Sequence, residues 1–344
     1  MKRDIDEQYE RLEKAGGGSW GVVYLARNRE NNKRVAIKRL IRRNNDGHWA
    51  QVAKREEHIL RACQASPHVI QLEEVLEGAA VAANGEGSVF LVMEQAQHDL
   101  RGLMENTDIS GRWTRAHVKG YCWQLLCAVA FIHARGFMHR DLKPANVLIS
   151  HDNVLKLADF GMATSLVDGD DPLERHGHLM NPVATMWYRA PEVILGARDY
   201  GAAIDVWAVG CIIGDLLQNL VFLPGKSDEE QLECIYALCG TPLENGWPEA
   251  ATLPKWKVPP TVTVRDFQRS LVRENRLVAR KRFFTQQAVS LLDGLLMLRP
   301  GSRLGAAEAL QHAYFDATQD GGIEVLAAKD MIRYNDKSHF AAAK

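Results

Sequence analysis

Apolar and polar residues alternate along the start of the chain and predict a small sheet. Residues 9–40 read YERLEKAGGGSWGVVYLARNRENNKRVAIKRL, which predicts a strand, a glycine turn, a second strand, a polar hairpin and a third strand. Apolar residues then recur at helical spacing and predict a helix over 48–64, namely Val52, Ile59, Leu60 and Cys63. Two further strands, VIQLEEVLEG and SVFLVMEQ, flank a Gly/Ala/Asn loop at 78–87.

Helical spacing dominates after residue 100. The segment VKGYCWQLLCAVAFIHARG predicts a long helix that ends at Gly136. VWAVGCIIGDLLQNLVF predicts a buried helix, because Asp215 and Asn219 make it too polar, and its length too short, for a bilayer. Residues 240–263 are proline-rich and predict an extended surface insertion. A sheet-rich small lobe and a helical large lobe, joined near 94–100, are therefore expected.

Composition excludes several classes of function. The 344 residues carry 42 basic and 43 acidic side chains, so bulk charge attracts the protein neither to nucleic acid nor to a membrane. The first residues, MKRDIDEQYE, lack the apolar stretch of a signal peptide. Six cysteines without a disulfide framework suit a reducing compartment. In CWQLLC and CIYALC the two cysteines lie about 140° apart on a helix, which favours core residues over metal ligands.

A glycine pattern and a lysine are the first candidates for chemistry. Gly16, Gly18, Gly21 and Val23 form GxGxxGxV between two predicted strands, where glycine lets backbone approach phosphate oxygens closely. A plain glycine hairpin explains the pattern equally well, and the strand that follows argues against a dinucleotide-binding fold. Lys38 in VAIK stands on a strand and by itself predicts only a solvated lysine.

Two carboxylates on the predicted helix offer partners for that lysine, and one of them is favoured. Glu56 is preferred to Glu57 because Ile59 and Leu60 follow it at +3 and +4, on the inward side of the helix.

The strongest candidate is the charged stretch HRDLKPAN, followed by LKLADFG. Ionisable groups between apolar runs are costly unless they are paired or used. Asp141, Asn146 and Asp159 are spaced so that they can converge. Mg²⁺ takes hard oxygen ligands and combines few protein carboxylates with substrate phosphates. The stretch therefore predicts a magnesium-phosphate site.

Taken in order, these motifs resemble the eukaryotic protein kinases, and the match runs from about Tyr9 to Phe315. ATMWYRAPEV completes the series. WYRAPE, AIDVWAVGCIIGDLL and PGKSDEEQLECIYALCGTP are similar to the cyclin-dependent-kinase-like (CMGC) group, most of all to its cell-cycle-related branch. The resemblance implies a bilobal α+β kinase fold. Its expected parts are an N-terminal lobe at 1–93, a hinge at 94–100, a C-terminal lobe at 101–316 with a group-specific insertion at about 223–280, and a tail at 317–344.

The resemblance also implies roles for individual residues, with ATP and Mg²⁺ as cofactors. Asp141 would be the catalytic base, Lys143 would balance charge on the phosphoryl group, and Asn146 and Asp159 would hold Mg²⁺. Lys38, oriented by Glu56, would hold the α- and β-phosphates. The remaining nucleotide-binding positions are Ala15, Gly16, Gly17, Gly18, Ser19, Trp20, Gly21, Val23, Ala36, Met93 (the gatekeeper), Glu94, Ala96, Asp99 (near ribose) and Leu148. His139 is assigned to the regulatory spine with Phe160, Leu60 and Leu72, and Glu192 with Arg303 to a structural ion pair.

Departures from the family pattern concern regulation. Met180 stands where relatives carry a phosphorylatable threonine, and Thr164 replaces one of three arginines that receive its phosphate. Arg55 and Arg140, the other two, are expected close together with no anion between them. Ser19-Trp20 replaces a phosphorylatable Thr-Tyr pair. The helix GHWAQVAKREEHIL lacks an expected proline, which leaves dependence on a cyclin open.

The motifs bear on three candidate functions. The leading expectation is a Ser/Thr protein kinase that acts on Ser/Thr-Pro sites of proteins, in cell-cycle or cilium-related regulation. It would work in the cytoplasm or nucleus, with the cilium as a further location. A pseudokinase scaffold with the same fold is the alternative. A small-molecule phosphotransferase is disfavoured by WYRAPE and by the long segment 159–192. A cyclin-like or other activating protein is an open partner, and no nucleic acid or membrane is expected.

Overall fold

The computed structural model describes residues 5–18, 21–40, 49–77, 88–166, 186–273, 283–318, 325, 326 and 328. Four sequence predictions lie outside these ranges, those on Ser19-Trp20, on the loop at 78–87, on Met180 and on most of the tail.

The first part of the chain forms a five-stranded antiparallel sheet. Its strands are paired in the order β1-β2-β3-β5-β4, and all neighbours are antiparallel. They are β1 (Tyr9–Gly18), β2 (Gly21–Asn28), β3 (Arg34–Leu40), β4 (Leu72–Glu77) and β5 (Val89–Glu94). The three strands predicted over 9–40 and the two later ones are therefore confirmed. Side chains alternate between the two faces of each strand, so each face of the sheet needs its own cover.

Each face of this sheet packs on a different helix. On one face, the short helix α1 (Ile5–Gln8) helps to close a small apolar cluster formed by Ile5, Tyr9, Ala26, Val35, Ile37, Phe90 and Val92. On the other face lies α2 (Trp49–Ala62), whose Ile59 and Leu60 are buried in the main core. The predicted helix at 48–64 is confirmed, and Glu56 is on its inward side.

The second part is mainly helical and holds most of the core. Its helices are α3 (Leu100–Glu105), α4 (Thr107–Ser110), α5 (Arg115–Ala134), α6 (Pro191–Ile194), α7 (Ala203–Gln218), α8 (Asp228–Cys239), α9 (Phe267–Arg273), α10 (Gln286–Leu295) and α11 (Ala306–Ala309). The Thr114 side chain caps the start of α5, and Gly136 follows its end with a φ of +78°. Every residue of α7 from Ile204 onward is buried. None of the helices in the described ranges is long and apolar enough to cross a membrane.

Short strands lie between the sheet lobe and the helices. They are β6 (His98–Asp99), β7 (Phe137–Met138), β8 (Val147–Ile149), β9 (Leu155–Leu157) and β10 (Thr164–Ser165). β6, β8 and β9 form one sheet, and β7 pairs with β10. Short 3-10 helices form the ends of two of the motifs, at Pro144–Asn146 in HRDLKPAN and at Phe160–Met162, which begins in LKLADFG.

The proline-rich insertion differs in part from the prediction of an extended surface segment. It contains 3-10 helices at Leu243–Asn245 and Pro248–Thr252, and the Trp247 side chain is buried. Trp247 is large and apolar, so burying it against the core folds the first half of the segment back. Only the second half matches the prediction, because Val258 and Val262 are exposed.

Candidate active site

A buried aspartate on α7 fixes the loop that carries the HRD motif. Asp205 Oδ2 accepts hydrogen bonds from His133 Nε2 at 2.9 Å and from the His139 backbone N–H at 2.7 Å. Its Oδ1 accepts from the Arg140 backbone N–H at 2.9 Å, where Arg140 adopts a left-handed φ of +68°. Burial would raise the pKa of Asp205, but the His133 and backbone hydrogen bonds outweigh it and lower that pKa. The sequence analysis does not predict this role for Asp205, although an acid in an otherwise apolar helix was the available signal.

The Asp141 carboxylate is held by two neighbours in the same loop. Lys143 Nζ donates to Asp141 Oδ2 at 2.7 Å, and Asn146 Nδ2 donates to the same oxygen at 3.1 Å. Asn146 Nδ2 also donates to the Asp141 carbonyl at 2.8 Å. The 3-10 turn Pro144–Asn146 brings Asn146 back over Asp141. These contacts orient a partly accessible carboxylate, which is what a proton acceptor requires.

His139 links this loop to the strand that leads to Asp159. Its Nε2 lies 2.9 Å from the Ala158 carbonyl, and the Asp141 N–H lies 3.3 Å from its Nδ1. The network assigns the proton to Nε2, since Nδ1 must accept. The ring also packs edge-on against Phe160 at 4.9 Å. His139 is fully buried, so the contacts fit the structural role predicted for it.

Lys38 joins two carboxylates from distant parts of the chain. Its Nζ lies 2.6 Å from Glu56 Oε1 on α2 and 2.7 Å from Asp159 Oδ1. Lys38 and Glu56 are buried, whereas the Asp159 side chain is 38% exposed. Glu56, and not Glu57, is thus the partner of Lys38, as the helix pattern predicted.

The charges of this trio follow from its geometry. Burial alone would lower the pKa of Lys38, but Asp159 and Glu56 outweigh it and raise that pKa above its usual value. Burial likewise opposes ionisation of Asp159, yet Lys38 lowers its pKa to about 2. Burial raises the pKa of Glu56 despite the adjacent ammonium. Lys38 therefore stays cationic and Asp159 anionic near neutral pH.

The predicted adenine-binding residues occupy the sheet and the hinge. Register pairs Val23 with Lys38 and Ala36 with Met93, so strand periodicity places all four on the same face of the sheet. Leu148 pairs with Asp99 across β6 and β8.

Two hinge positions have contacts that the sequence did not indicate. Asp99 is buried and its Oδ1 accepts the Gly102 N–H at 2.7 Å, so it caps α3. The Glu94 side chain is paired with Lys156 at 2.7 Å. Ala96, the other hinge position, is buried. Contact of these residues with adenine or ribose stays a prediction.

The described glycines lie at the ends of two paired strands. Gly16 and Gly17 pair with Val23 and Val22, so β1 continues to Gly18, and Ser19 and Trp20, which come next, lie outside the described residues. A Cβ on Gly21 would lie 2.3 Å from the Arg39 carbonyl, so this position requires glycine for the β2–β3 pairing. A Cβ on Gly16 would meet nothing within 4 Å, which leaves space for a ligand beside the strand. Ala15 precedes it on the same strand.

The donor set also fits magnesium held together with a nucleotide. Asn146 and Asp159 offer the hard oxygen atoms that Mg²⁺ prefers. Among the described residues, no group of three or more His, Cys, Asp or Glu side chains could hold a metal ion alone. A nucleotide-borne Mg²⁺ needs no such group, since phosphate oxygens and water complete its shell.

The two arginines of the expected phosphate pocket meet at the turn after Asp159. Arg140 Nε donates to the Met162 carbonyl at 2.6 Å, and Arg55 Nη2 donates to the Gly161 carbonyl at 3.2 Å. Thr164, which replaces the third arginine, is buried on β10 opposite Met138. The two arginines thus lie close together, as predicted, and their guanidinium groups donate hydrogen bonds to neighbouring carbonyl oxygens.

Glu192 and Arg303 form the predicted ion pair remote from this site. Both guanidinium Nη atoms lie 2.6 Å from the Glu192 carboxylate oxygens, and both side chains are buried. The pair therefore belongs to the fold of the helical lobe.

Comparison with known proteins places these motifs in one family. The protein kinase domain profile matches residues 9–315. Cyclin-dependent kinase 20 of Danio rerio is 38% identical over 90% of this chain and 83% of its own length. Cyclin-dependent kinase C-2 of Oryza sativa subsp. japonica is 36% identical over 89% of this chain, which spans only 59% of that protein.

A solved structure shows the same architecture. A chain in the structure of the CAK complex from Chaetomium thermophilum bound to ATP-γ-S has a TM-score of 0.77 and 30% identity, with 95% of each chain covered. The relatives bear several different cyclin-dependent kinase names, so placement in the cell-cycle-related branch stays a prediction. The chain belongs to the protein kinase family, within its cyclin-dependent-kinase-like group.

Proposed function

We propose that this protein is a Ser/Thr protein kinase that transfers the γ-phosphate of Mg·ATP to hydroxyl groups of protein substrates. The observation that carries the proposal is the trio at Lys38. The Lys38 ammonium is held 2.6 Å from Glu56 and 2.7 Å from Asp159. It supplies a fixed positive charge for phosphate oxygens, and the Asp159 carboxylate beside it can bind a metal ion. Positioning and electrostatic stabilisation are most of what phosphoryl transfer requires.

In this proposal the proton and the phosphoryl group move in opposite directions. Asp141 accepts the proton of the substrate Ser or Thr hydroxyl. At the same time the hydroxyl oxygen bonds to the γ-phosphorus, and the bond between the γ-phosphorus and the ADP oxygen breaks. Lys143, whose Nζ lies 2.7 Å from Asp141 Oδ2, would balance the charge of the phosphoryl oxygens. Asn146 and Asp159 would hold Mg²⁺, which neutralises phosphate charge when bound.

Variants of Asp141 and Asp159 should distinguish a loss of phosphoryl transfer from a loss of nucleotide binding. Asp141→Asn should lower kcat by orders of magnitude and leave ATP affinity nearly intact, because its role belongs to the transition state. Asp159→Asn should instead weaken Mg-dependent nucleotide binding. Asp152→Asn is the matched control, since that side chain is 89% exposed and lies outside the site. The measurements are peptide phosphorylation and titration with a fluorescent ATP analogue, with and without Mg²⁺.

Near-normal turnover by Asp141→Asn would refute the assignment of the base. If the wild-type protein binds the analogue but phosphorylates no member of a degenerate peptide library, the scaffold alternative stands instead. Lys38 contacts Glu56 and Asp159, and Asn146 contacts Asp141. The Ala158 N–H, beside Asp159, donates to the Asn146 carbonyl at 3.0 Å and so joins the two groups, which argues against that alternative.

We further propose that substrates carry proline after the phosphoacceptor. In relatives with WYRAPE, the arginine equivalent to Arg189 occupies the backbone carbonyl that would receive the next N–H of the substrate. Proline has no such N–H, whereas another residue would leave a donor unpaired, at about 1–3 kcal/mol. Arg189 is mostly buried beside Asp228, and Val183, the expected carbonyl, lies outside the described residues. Equal kcat/KM on peptides with Pro or Ala at that position would contradict this proposal.

A protein partner remains part of the proposal. The matching solved chain comes from a complex, and several relatives are named cyclin-dependent kinases. We propose cell-cycle or cilium-related regulation as the setting, with a cyclin-like activator as a candidate partner. The test compares the activity of the purified monomer with its activity after addition of candidate cyclins.

A further inference from the structure

Lys156 is a buried ammonium that the proposed chemistry does not use. It lies on β9, and its side chain is only 10% exposed. Its Nζ is 2.7 Å from Glu94 Oε1 and donates to the Pro67 carbonyl at 3.1 Å. Burying a charge is unfavourable unless partners compensate it, so the position is specific for a cation with this reach.

The partner of Lys156 stands at the start of the hinge. Glu94 is the last residue of β5, and its Oε1 also accepts the Gln71 N–H at 2.8 Å. The Glu94 N–H in turn donates to the Gln71 carbonyl at 3.0 Å. One carboxylate therefore joins the hinge both to β9 and to the loop at 63–71 that connects α2 with β4.

The same loop is bonded to β9 along its length. The Leu157 N–H donates to the His68 carbonyl at 2.8 Å, and the Ile70 N–H donates to the Leu157 carbonyl at 3.0 Å. His68 Nδ1 lies 3.0 Å from the Leu155 carbonyl. Asp159 follows β9 after a single residue. Lys156 thus stands where the hinge, the α2–β4 loop and the strand leading to Asp159 meet.

We propose that Lys156 is a positioning residue for nucleotide binding that acts through Glu94. By fixing Glu94, it holds the backbone at 94–96 in the place that an adenine ring would contact. The inference rests on the proposed function, because it assigns adenine to that hinge. It goes beyond that function by giving a role to a residue that touches no substrate.

Lys156→Met removes the ammonium and keeps an unbranched side chain that is one heavy atom shorter. We expect KM for ATP to rise about tenfold or more, the effect of losing a hydrogen bond to a charged group, with KM for peptide changed little. Kd for a fluorescent ATP analogue should rise in parallel. Lys156→Arg should restore most of the affinity, because its guanidinium can reach Glu94.

Lys33→Met is the matched control. Lys33, just before β3, forms an ion pair of similar length with Glu73, 2.6 Å, but its side chain is 52% exposed. The control should leave KM for ATP within about twofold, as expected for an exposed pair. If Lys156→Met fails to fold, Glu94→Gln removes the charge from the other side and should raise KM for ATP similarly.

An unchanged KM for ATP in folded Lys156→Met would overturn the inference while the proposed function stands. A lower KM or a higher kcat would overturn it as well, since Lys156 would then restrain the enzyme. If the wild type binds the analogue but transfers no phosphate, the proposed function fails. The ratio of analogue Kd values between Lys156→Met and wild type still decides the role of Lys156 in that case.

Discussion

At the scale of single residues, Asp215 shows how a buried carboxylate makes stability depend on pH. It lies within α7, where Oδ2 accepts the Tyr188 hydroxyl at 2.7 Å and Oδ1 accepts the Phe222 N–H at 2.6 Å. Burial raises the pKa of Asp215 to about 7, and these hydrogen bonds only partly oppose the shift. Tyr188 belongs to WYRAPE, so the carboxylate joins that motif to the core of the helical lobe.

The raised pKa predicts a loss of stability between about pH 4 and pH 7. In that window the folded protein binds a proton at Asp215 and the unfolded chain does not, so the free energy of unfolding falls as pH rises. Above the folded pKa no further loss follows from this group. Asp215→Asn imitates the neutral acid and should remove up to about 4 kcal/mol of this dependence.

Thermal unfolding of both proteins from about pH 3.5 to pH 8 measures the effect. The Tm of Asp215→Asn should exceed that of the wild type at pH 8, and the two should converge only at about pH 4 or below, where Asp215 is neutral in both the folded and the unfolded state. The difference between the two proteins isolates Asp215 from the other titrating groups. A difference that stays constant with pH would contradict the raised pKa.

At the scale of elements, the connection between α2 and the turn after Asp159 uses backbone oxygens. Arg55 on α2 donates to the Gly161 carbonyl, and Arg140 donates to the Met162 carbonyl. These bonds require no phosphate. Met180 cannot be phosphorylated, and Thr164 removes one arginine of the pocket. We therefore predict that activity does not require an upstream kinase acting at the usual threonine position.

The measurement compares phosphatase-treated enzyme from bacteria with the same enzyme after incubation with an activating kinase. The two should differ little in kcat/KM. Ser165→Ala is the control for phosphorylation at a neighbouring position on β10, and it should retain activity. A large gain that mass spectrometry assigns to 175–185 would refute the prediction.

The elements also show what sequence patterns can predict. Alternation over 9–40 and helical spacing over 48–64 fixed β1, β2, β3 and α2, because a strand or helix of seven or more residues repeats its pattern. β6 to β10 contain two or three residues each, too few for any period. The prolines of the insertion at 240–263 predicted an extended segment, but burial of Trp247 folds its first half back onto the core.

For the site, the motif residues could be named from the sequence, whereas several of their supports could not. Asp205 and Lys156 act through partners more than 60 positions away, at His139 and Glu94 respectively. Only the fold brings such residues together. The Lys38–Glu56 pair could be predicted because the spacing of Ile59 and Leu60 places Glu56, and not Glu57, on the inward face of the helix.

At the scale of the whole molecule, one buried ion pair joins α6 to the chain between α10 and α11. Arg303 uses all its donor nitrogens, since Nη1 and Nη2 contact Glu192 while Nε donates to the Met297 carbonyl at 2.7 Å. Its Nη atoms also donate to the carbonyls of Ala203, at the start of α7, and Leu298. The guanidinium thus fixes α6, the start of α7 and the segment that follows α10 relative to one another.

Removing one member of this pair leaves the other charge buried and unpaired. Arg303→Leu should therefore lower the free energy of unfolding by about 3–5 kcal/mol. The double variant Glu192→Leu with Arg303→Leu should be less unstable than the sum of the single variants, because neither charge is then stranded. Arg299→Leu is the control, since its pair with Glu249 has a similar length, 2.7 Å, but is half exposed. It should change stability by less than about 1 kcal/mol.

Urea unfolding of the four proteins, followed by tryptophan fluorescence, gives the coupling energy. Because two lobes can unfold separately, the analysis uses only transitions that fluorescence and circular dichroism report together. KM for ATP should stay near the wild-type value in every folded variant, since Glu192 and Arg303 lie outside the Lys38 trio. Additive losses in the double variant would mean that the pair contributes through packing around Trp207, which the guanidinium covers at 5.0 Å, and not through its charge.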